Sequence, residues 1–225
     1  MKSILVFTLN LLLLTVVASR CDADDMGQRI SAATGHFEKK QGSMSPIPQE
    51  ILANAKGIAF ATITKGGLGI GGLGGEGIVF VHRPGTPAPS WTAPSAFNIS
   101  GGSLGAQIGF SSIKYIMVLN TDAAVRQFTG SGKMKWDATA MGTAGNDTGI
   151  ETENTRDLEQ RAILVYTDSG GLFGGATFGS TVIETKDSIN QDYYGAHVYV
   201  GDLLSGKIAP PKAAARLYQI LNGQR

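Results

Sequence analysis

The sequence predicts an α+β domain with a mainly antiparallel, glycine-rich, barrel-like β-sheet core and helices flanking it at the N- and C-termini. Many short strand-like segments follow one another without the regular alternation of strands and helices that builds a parallel sheet. Helical periodicity lies chiefly near the two ends of the chain. The 31 glycines among 225 residues concentrate in the strand-like part. Glycine inside a strand lets another backbone approach closely.

Residues 1–23 have the composition of a cleaved secretory signal peptide. Lys2 is followed by an apolar run over 4–18 and by small residues at two plausible cleavage positions, after Ser19 or after Ala23. The run is shorter than the roughly 20 apolar residues of a membrane-spanning helix. We therefore expect a chain that is secreted or lies in the periplasm or cell envelope. Lipid attachment at Cys21 is an alternative, but a charged residue directly before that cysteine fits a lipoprotein signal badly.

The charge balance and the cysteine count limit the partners. The chain has 19 Lys and Arg against 18 Asp and Glu, and cleavage after Ala23 removes Lys2, Arg20 and Asp22, which leaves it neutral. Nucleic-acid binding needs a clustered basic excess, so we expect no nucleic-acid partner. Cys21 is the single cysteine, and its removal excludes disulfides and thiolate metal sites. The histidines lack metal-ligand spacing. We expect neither a metal nor a cofactor.

The first half of the chain predicts two helices followed by strands. Over 25–40, apolar residues recur every three or four positions, which indicates an amphipathic helix. A polar connector reaches residue 46, and a second helix begins at Pro48 and ends before Gly57. Strands are expected at 58–64 and 78–82, with a glycine segment between them at 65–77.

The second half predicts further strands and two helices. Apolar residues alternate with small or polar ones over 104–110, as in a strand with one nearly bare face. A short helix is expected from Asp122 to Phe128, and a C-terminal helix after Pro211 that ends at Asn222. Other strands are predicted at 116–119, 162–166, 177–185 and 193–200, with a long loop at 138–155. The chain divides into the signal peptide (1–23), the amphipathic helix with its connector (24–46) and the main domain (47–225).

Two catalytic motifs occur in the wrong structural context. Residues 69–74 fit the dinucleotide pattern G-x-G-x-x-G, which requires a helix after it, whereas a strand is predicted there. Residues 101–105 fit the hydrolase pattern G-x-S-x-G around Ser103, but an alternating strand follows the serine where a helix is required. We predict no catalytic residues and no enzyme activity, with a serine hydrolase at Ser103 as a minor alternative.

Several short motifs in a fixed order identify a family. They are Ile47-Pro48, Ile51-Leu52, Ala55-Lys56-Gly57-Ile58, Lys65-Gly66-Gly67 with the glycine run, Trp91-Thr92-Ala93-Pro94-Ser95, Gln107-Ile108-Gly109, Val118-Leu119-Asn120, Gly171-Leu172-Phe173-Gly174-Gly175, and Asn190 with Tyr194-Gly195. From about residue 47 to 221 the chain resembles the SYLF domain family, lipid-binding modules first associated with yeast actin patches and also found in exported bacterial proteins. It departs from the family at 140–145, which lack the expected glycine-proline turn and arginine.

The resemblance implies binding of anionic membrane lipid, which is phosphoinositide in eukaryotic members, and actin binding in some members. The amphipathic helix and the basic segments supply the candidate residues. We predict lipid-binding residues Arg29, Lys39, Lys40, Lys56, Lys65, Lys133, Lys135 and Trp136, and membrane-inserting residues Met26, Ile30 and Phe37. The alternatives are that the helix packs on the domain, that the lysines are solvated, and that the chain is a protein-interaction or envelope structural domain.

Overall fold

The computed structural model describes residues 25–83, 90–129, 133–136, 141–143, 162–167 and 180–224. The predicted signal peptide and most of the predicted loop at 138–155 lie outside these residues. The helices are α1 (Met26–Gln41), α2 (Gln49–Asn54), α3 (Asp122–Thr129), α4 (Asp187–Tyr194), α5 (Val200–Leu204), a short 3-10 helix (Lys212–Ala214) and α6 (Ala215–Leu221). The strands are β1 (Gly57–Val81), β2 (Ser95–Leu119), β3 (Lys133–Trp136), β4 (Met141–Thr143), β5 (Ile163–Thr167) and β6 (Ser180–Thr185). The prediction of an α+β fold is confirmed.

Helix α1 begins where its sequence provides a cap. The side chain of Asp25 accepts a hydrogen bond from the backbone N–H of Gln28 at 2.7 Å, which satisfies one donor of the first turn. Lys39 and Lys40 lie in the last turn, where positive charge favours the helix dipole. The predicted helix at 25–40 is therefore confirmed as α1.

Strands β1 and β2 form one long antiparallel ladder. It runs from Gly57 opposite Leu119 to Val79 opposite Ser95, with a shift in register between Leu68 and Ile70. The prediction of two separate strands around a glycine segment was wrong, as was the start of the next strand at 104. Glycine weakens the local strand signal, but the partner strand supplies hydrogen bonds along the ladder, so each strand continues through its glycines for 25 residues.

The other edge of β2 carries two shorter strands. β6 pairs with β2 from Phe97 to Gly102, and β5 pairs with it from Tyr115 to Leu119. β3 extends the sheet beyond β6 in antiparallel direction, whereas β4 joins β5 in parallel direction. The six-stranded sheet is thus mainly antiparallel, as predicted.

The long hairpin curls until the two ends of β1 lie side by side. The backbone N–H of His82 donates to the carbonyl of Lys56 at 2.9 Å, and the rings of Phe60 and Phe80 pack with centroids 6.2 Å apart. A Cβ at Gly77 would clash with the carbonyl oxygen of Phe60 and with the ring of Phe97. Glycine is required at this crossing because any side chain would separate the two backbones.

Hydrophobic cores form on both faces of the sheet. Alternate residues of a strand point to opposite faces, so Ile58 and Phe80 pack with α1, α2 and α6, whereas Ala59 and Val79 pack with α3 and α5. The first core contains residues from near both ends of the described chain, for example Ile30 and Leu221. Among the described helices, none is long and apolar enough to span a membrane.

The strand predicted at 193–200 was wrong. These residues include the end of α4, a turn in which His197 adopts a φ of 72°, and the start of α5. Tyrosine and valine gave the segment a strand-like composition. The buried residues Val200, Leu203 and Leu204 instead follow helical spacing. The predicted helices after Asp122 and Pro211 are confirmed.

Candidate functional site

The three residues predicted to enter a membrane lie on the buried face of α1. Met26, Ile30 and Phe37 are at most 1% exposed and belong to the core between α1 and the sheet. Phe37 packs edge to face against Phe60, with ring centroids 5.7 Å apart. The docked helix therefore presents none of these side chains to a membrane. Their insertion stays a prediction about a state in which α1 has left the sheet.

Arg29 anchors α1 to the hairpin. Its guanidinium, on a residue 5% exposed, donates to the carbonyls of Gly77 at 3.0 Å and Phe97 at 2.7 Å. It also donates to Oδ1 of Asn98 at 2.9 Å, and it lies 4.0 Å from the carboxylate of Glu76. Gly77 and Phe97 are partners in the β1–β2 register. One buried cation thus bonds to both strands, and in the docked state its donors face protein oxygens.

The two lysines at the end of α1 point in different directions. Lys39 is exposed, whereas Lys40 is buried with its Nζ 5.7 Å from the centroid of the Tyr166 ring. Burial lowers the pKa of the Lys40 ammonium, while the ring face offers it a weak cation–π contact. Only Lys39 of this pair belongs to the open surface.

The other predicted cations are spread over separate elements. Lys56 is exposed between α2 and β1, and Lys65 lies in β1 opposite Ser111. Lys133, Lys135 and Trp136 lie in β3, a strand at the end of the sheet, opposite Glu184, Val182 and Thr181. The side chains of Lys65 and of β3 are outside the described set. The described structure does not gather the predicted cations into one site.

Sequence analysis missed two cations that the fold places beside α1. Arg216 Nε donates to Oε1 of Glu38 at 2.8 Å, which joins α6 to α1. Lys212 is exposed one turn earlier, in the 3-10 helix that also packs against α1. We call Lys39, Lys212 and Arg216 the basic face. The spacing of Lys212 and Arg216 was visible in the sequence, but the packing of their helix against α1 was not.

Two family motifs prove to be structural partners. Asn190 is fully buried; its Oδ1 accepts from the backbone N–H of Ala96 at 2.9 Å, and its Nδ2 donates to Oγ of Ser95 at 3.0 Å. The hydroxyl of Tyr194 donates to the carbonyl of Pro94 at 3.0 Å. The segments around 91–95 and 190–195 are therefore joined by hydrogen bonds that position α4 at the start of β2.

Trp91 belongs to the core. It is 1% exposed, stacks on His82 with centroids 4.4 Å apart, and donates from Nε1 to Oδ1 of Asn222 at 3.1 Å. Burial lowers the pKa of His82, and the nearby Lys56 charge lowers it further, against a hydrogen bond to the carbonyl of Ala55 that raises it. This cluster holds the C-terminal end of α6 against the sheet.

A cavity lies between the connector after α1 and the end of α6. Its volume is about 290 Å³. It is lined by Gln41, Pro46, Ile47, Pro48, Gln49, Ile220, Gly223 and Gln224. None of these side chains carries a charge, so the cavity offers amide groups and apolar contacts. The Gln41 amide is already engaged, because it bonds to both the backbone N–H and the carbonyl of Ile47.

The catalytic motifs lie within strands. Ser103 and the glycine pattern at 69–74 are interior to β2 and β1, and each strand continues beyond its motif. Neither the nucleophile elbow nor the helix N-terminus that these chemistries require is formed there. Within the described ranges, no three histidine, cysteine or acidic side chains are grouped so as to hold a metal ion.

Comparison with known proteins identifies the family. The model of the Ysc84 family, described as Las17-binding protein actin regulator, matches residues 100–224. LAS seventeen-binding protein 3 of Saccharomyces cerevisiae is 31% identical over 188 residues, which cover 81% of this chain and 40% of that protein. SH3 domain-containing YSC84-like protein 1 of Mus musculus is 33% identical over 187 residues, covering 81% of this chain and 53% of that protein.

Protein YSC84 of Saccharomyces cerevisiae is 30% identical over 188 residues, again 81% of this chain and 39% of the relative. The chain thus spans about half or less of the length of these relatives. No solved structure matches. Because the family model matches more than half of the chain and relatives that are 31% and 33% identical cover 81% of it, this chain belongs to the Ysc84 family, the family of the SYLF domain.

Proposed function

We propose that this chain is an exported, non-enzymatic binding protein that attaches peripherally to anionic membrane surfaces. The observation that carries the proposal is the basic face. The Arg216–Glu38 ion pair holds α6 beside α1, whose last turn carries Lys39, and the 3-10 helix that carries Lys212 also packs on α1 while α1 stays docked. This arrangement provides a positive surface on a chain whose overall charge is close to zero.

The expected attraction is weak and salt-dependent. Each cation near an anionic surface contributes about 1 kcal/mol, and Glu38 offsets part of the total. Salt screens such contacts over a Debye length of about 10 Å at 0.1 M. Peripheral, reversible attachment follows from these magnitudes.

Vesicle co-sedimentation tests the lipid proposal. Residues 24–225 contain every described element, and this chain is mixed with neutral and with anionic vesicles at low and high salt after its fold is checked by circular dichroism. We expect binding to anionic vesicles alone, weakened by salt and by the double variant Lys39→Gln, Lys212→Gln. The matched control removes two exposed cations elsewhere, Lys114→Gln and Arg126→Gln. Equal loss in both double variants, or no binding by the unaltered chain, would refute this proposal.

The export part has its own test. Expression of the full chain in a secreting host, followed by mass measurement of the product outside the cytoplasm, locates the cleavage. A product that begins at Arg20 or Asp24 agrees with one of the two predicted cuts. A product that retains residues 1–23 inside the cell contradicts export.

A second candidate function is direct binding to actin filaments. It is favoured by the match of residues 100–224 to a model described as Las17-binding protein actin regulator. Those residues include α6 and α4, which carries Asn190 and Tyr194. An exported chain would not meet cytoplasmic actin, so the two proposals separate by location. Co-sedimentation with actin filaments, in the absence of lipid, tests this candidate directly, and a chain that stays in the supernatant argues against it.

A further inference from the structure

Met44 is a large apolar side chain held in solvent. It is fully exposed, at 103% of its reference area, whereas the other exposed large apolar residues of the described chain, Tyr193 and Tyr199, are 38% and 50% exposed. It belongs to residues 42–45, which we call the Met44 turn, between α1 and the connector that leads to α2.

The Met44 turn is an ordered structure. The N–H of Gly42 donates to the carbonyl of Glu38 at 2.9 Å, and both the N–H and the hydroxyl of Ser43 donate to the carbonyl of Lys40, at 3.2 and 2.7 Å. The N–H of Ser45 donates to Oγ of Ser43 at 3.3 Å. These bonds close the helix end and fix the backbone on both sides of Met44. The side chain is therefore presented to solvent by a hydrogen-bonded turn.

The surroundings of the Met44 turn combine positive charge with an uncharged wall. Lys39 lies in the last turn of α1, directly before it, and Arg216 is joined to α1 through Glu38. The neutral cavity is lined by Gln41 directly before the turn and by Pro46 and Ile47 directly after it. An apolar side chain that directly follows a basic helix end is an arrangement that favours contact with the interface of an anionic bilayer.

We propose that Met44 is the residue that enters the bilayer when the basic face rests on anionic lipid, and that α1 remains docked on the sheet. This inference rests on the proposed membrane function. Insertion of Met44 takes the place of the insertion predicted from the sequence for the apolar residues of α1. It requires no exposure of Met26, Ile30 and Phe37 and no loss of the Arg29 hydrogen bonds. A membrane fits this surface better than a second copy of the chain, because two basic faces brought together would repel one another.

Substitution of Met44 tests the inference. Loss of one buried methionine side chain should weaken binding to anionic vesicles roughly tenfold, so Met44→Ser is expected to bind about that much less tightly with its salt dependence unchanged. Met44→Trp should bind at least as tightly as the unaltered chain. Tyr199→Ser, which removes another exposed apolar side chain, is the matched control and should bind normally.

Fluorescence locates the inserted residue. Residues 24–225 lack cysteine, so the variants Met44→Cys and Ser31→Cys can each be labelled at one position with an environment-sensitive dye. Ser31 lies on the exposed side of α1 and serves as the control position. Anionic vesicles should shift the dye at 44 to the blue and protect it from an aqueous quencher, with no change at 31. Hydrogen exchange of α1 should stay slow on the vesicles, because the helix remains docked.

The outcomes separate the inference from the function on which it rests. Salt-sensitive vesicle binding that Met44→Ser leaves unchanged would overturn the inference and retain the membrane function, as would fast hydrogen exchange of α1 on vesicles. Absence of vesicle binding by the unaltered chain would overturn both. Concentration-dependent self-association without lipid, abolished by Met44→Ser, would assign the turn to a second copy and overturn the inference.

Discussion

The guanidinium of Arg29 lies 2.7 Å from the carbonyl oxygen of Phe97, and it bonds at the same time to Gly77 on the neighbouring strand. Sequence analysis predicted that this cation binds a lipid phosphate. In the structure it joins α1 to the hairpin. Its three hydrogen bonds make α1 part of the folded domain. The docked position of this helix decides which side chains reach the surface.

Replacement of Arg29 should unfold the chain more easily. Arg29→Met keeps much of the apolar stem but leaves two buried carbonyls without their donor, so we expect a loss of about 2 to 4 kcal/mol in the free energy of unfolding. Urea unfolding followed by circular dichroism measures it. Gln28→Ala, a neighbouring exposed position on α1, is the control and should change little. A variant as stable as the parent would show that the guanidinium does not anchor the helix.

Replacement of Asn190, which belongs to a family motif, should also destabilise the fold. Asn190→Leu has a similar volume but removes the acceptor for Ala96 N–H and the donor to Ser95. We expect a cost of about 2 to 3 kcal/mol, since a buried backbone donor is left unsatisfied. Asp192→Ala on the exposed side of α4 is the control for the same helix. Unchanged melting temperature in the leucine variant would contradict the assigned role.

Two glycines of β1 should respond oppositely to the same substitution. A Cβ at Gly77 meets the Phe60 carbonyl and the Phe97 ring, whereas a Cβ at Gly74 meets no atom within 4 Å. Gly77→Ala should cost about 1 to 3 kcal/mol, and more if the strands separate. Gly74→Ala should be neutral or slightly stabilising, because alanine restricts the unfolded chain. Thermal melting of the pair checks this, and equal melting temperatures would show that the crossing of β1 is not tight.

The stack of His82 on Trp91 predicts a dependence of stability on pH. Burial lowers the pKa of His82 below its ordinary value of 6.5, so the unfolded state binds a proton more readily than the folded state. The contribution of neutral His82 is complete above about pH 6.5 and decreases as the pH falls from that value through the lowered pKa of the folded state. Melting curves at several pH values measure this slope. In His82→Asn, which retains a donor for Ala55, the slope attributable to His82 should disappear; an unchanged slope would assign it to other groups.

Local spacing was enough to predict the helices and several strands, but not the long hairpin. Apolar residues at helical intervals were enough to predict α1 and α6. The glycines of β1 carry no side-chain pattern, so their strand conformation depends on the register with β2. The segment at 193–200 failed for the opposite reason, since its aromatic composition indicated a strand while its buried residues follow a helix.

The candidate site was predicted only in part. Lys39 lies on the basic face, but Arg29 and Lys40 are buried by contacts with strands far away in sequence. Lys212 and Arg216 were overlooked because their place depends on the packing of α6 against α1. A cation's residue type is evident in sequence, whereas its exposure is decided by tertiary neighbours.

The shared core of α1 and α6 also bears on how the chain folds during synthesis. Ile30 and Leu221 occupy one cluster, and Gln49 donates to the carbonyl of Leu221 at 2.9 Å. After α1 has left the ribosome, almost all of the remaining polypeptide must be made before this core can close, because the contacting residues are far apart in sequence. The apolar face of α1 therefore stays uncovered during most of synthesis, which is when it is open to aggregation or to capture by a chaperone.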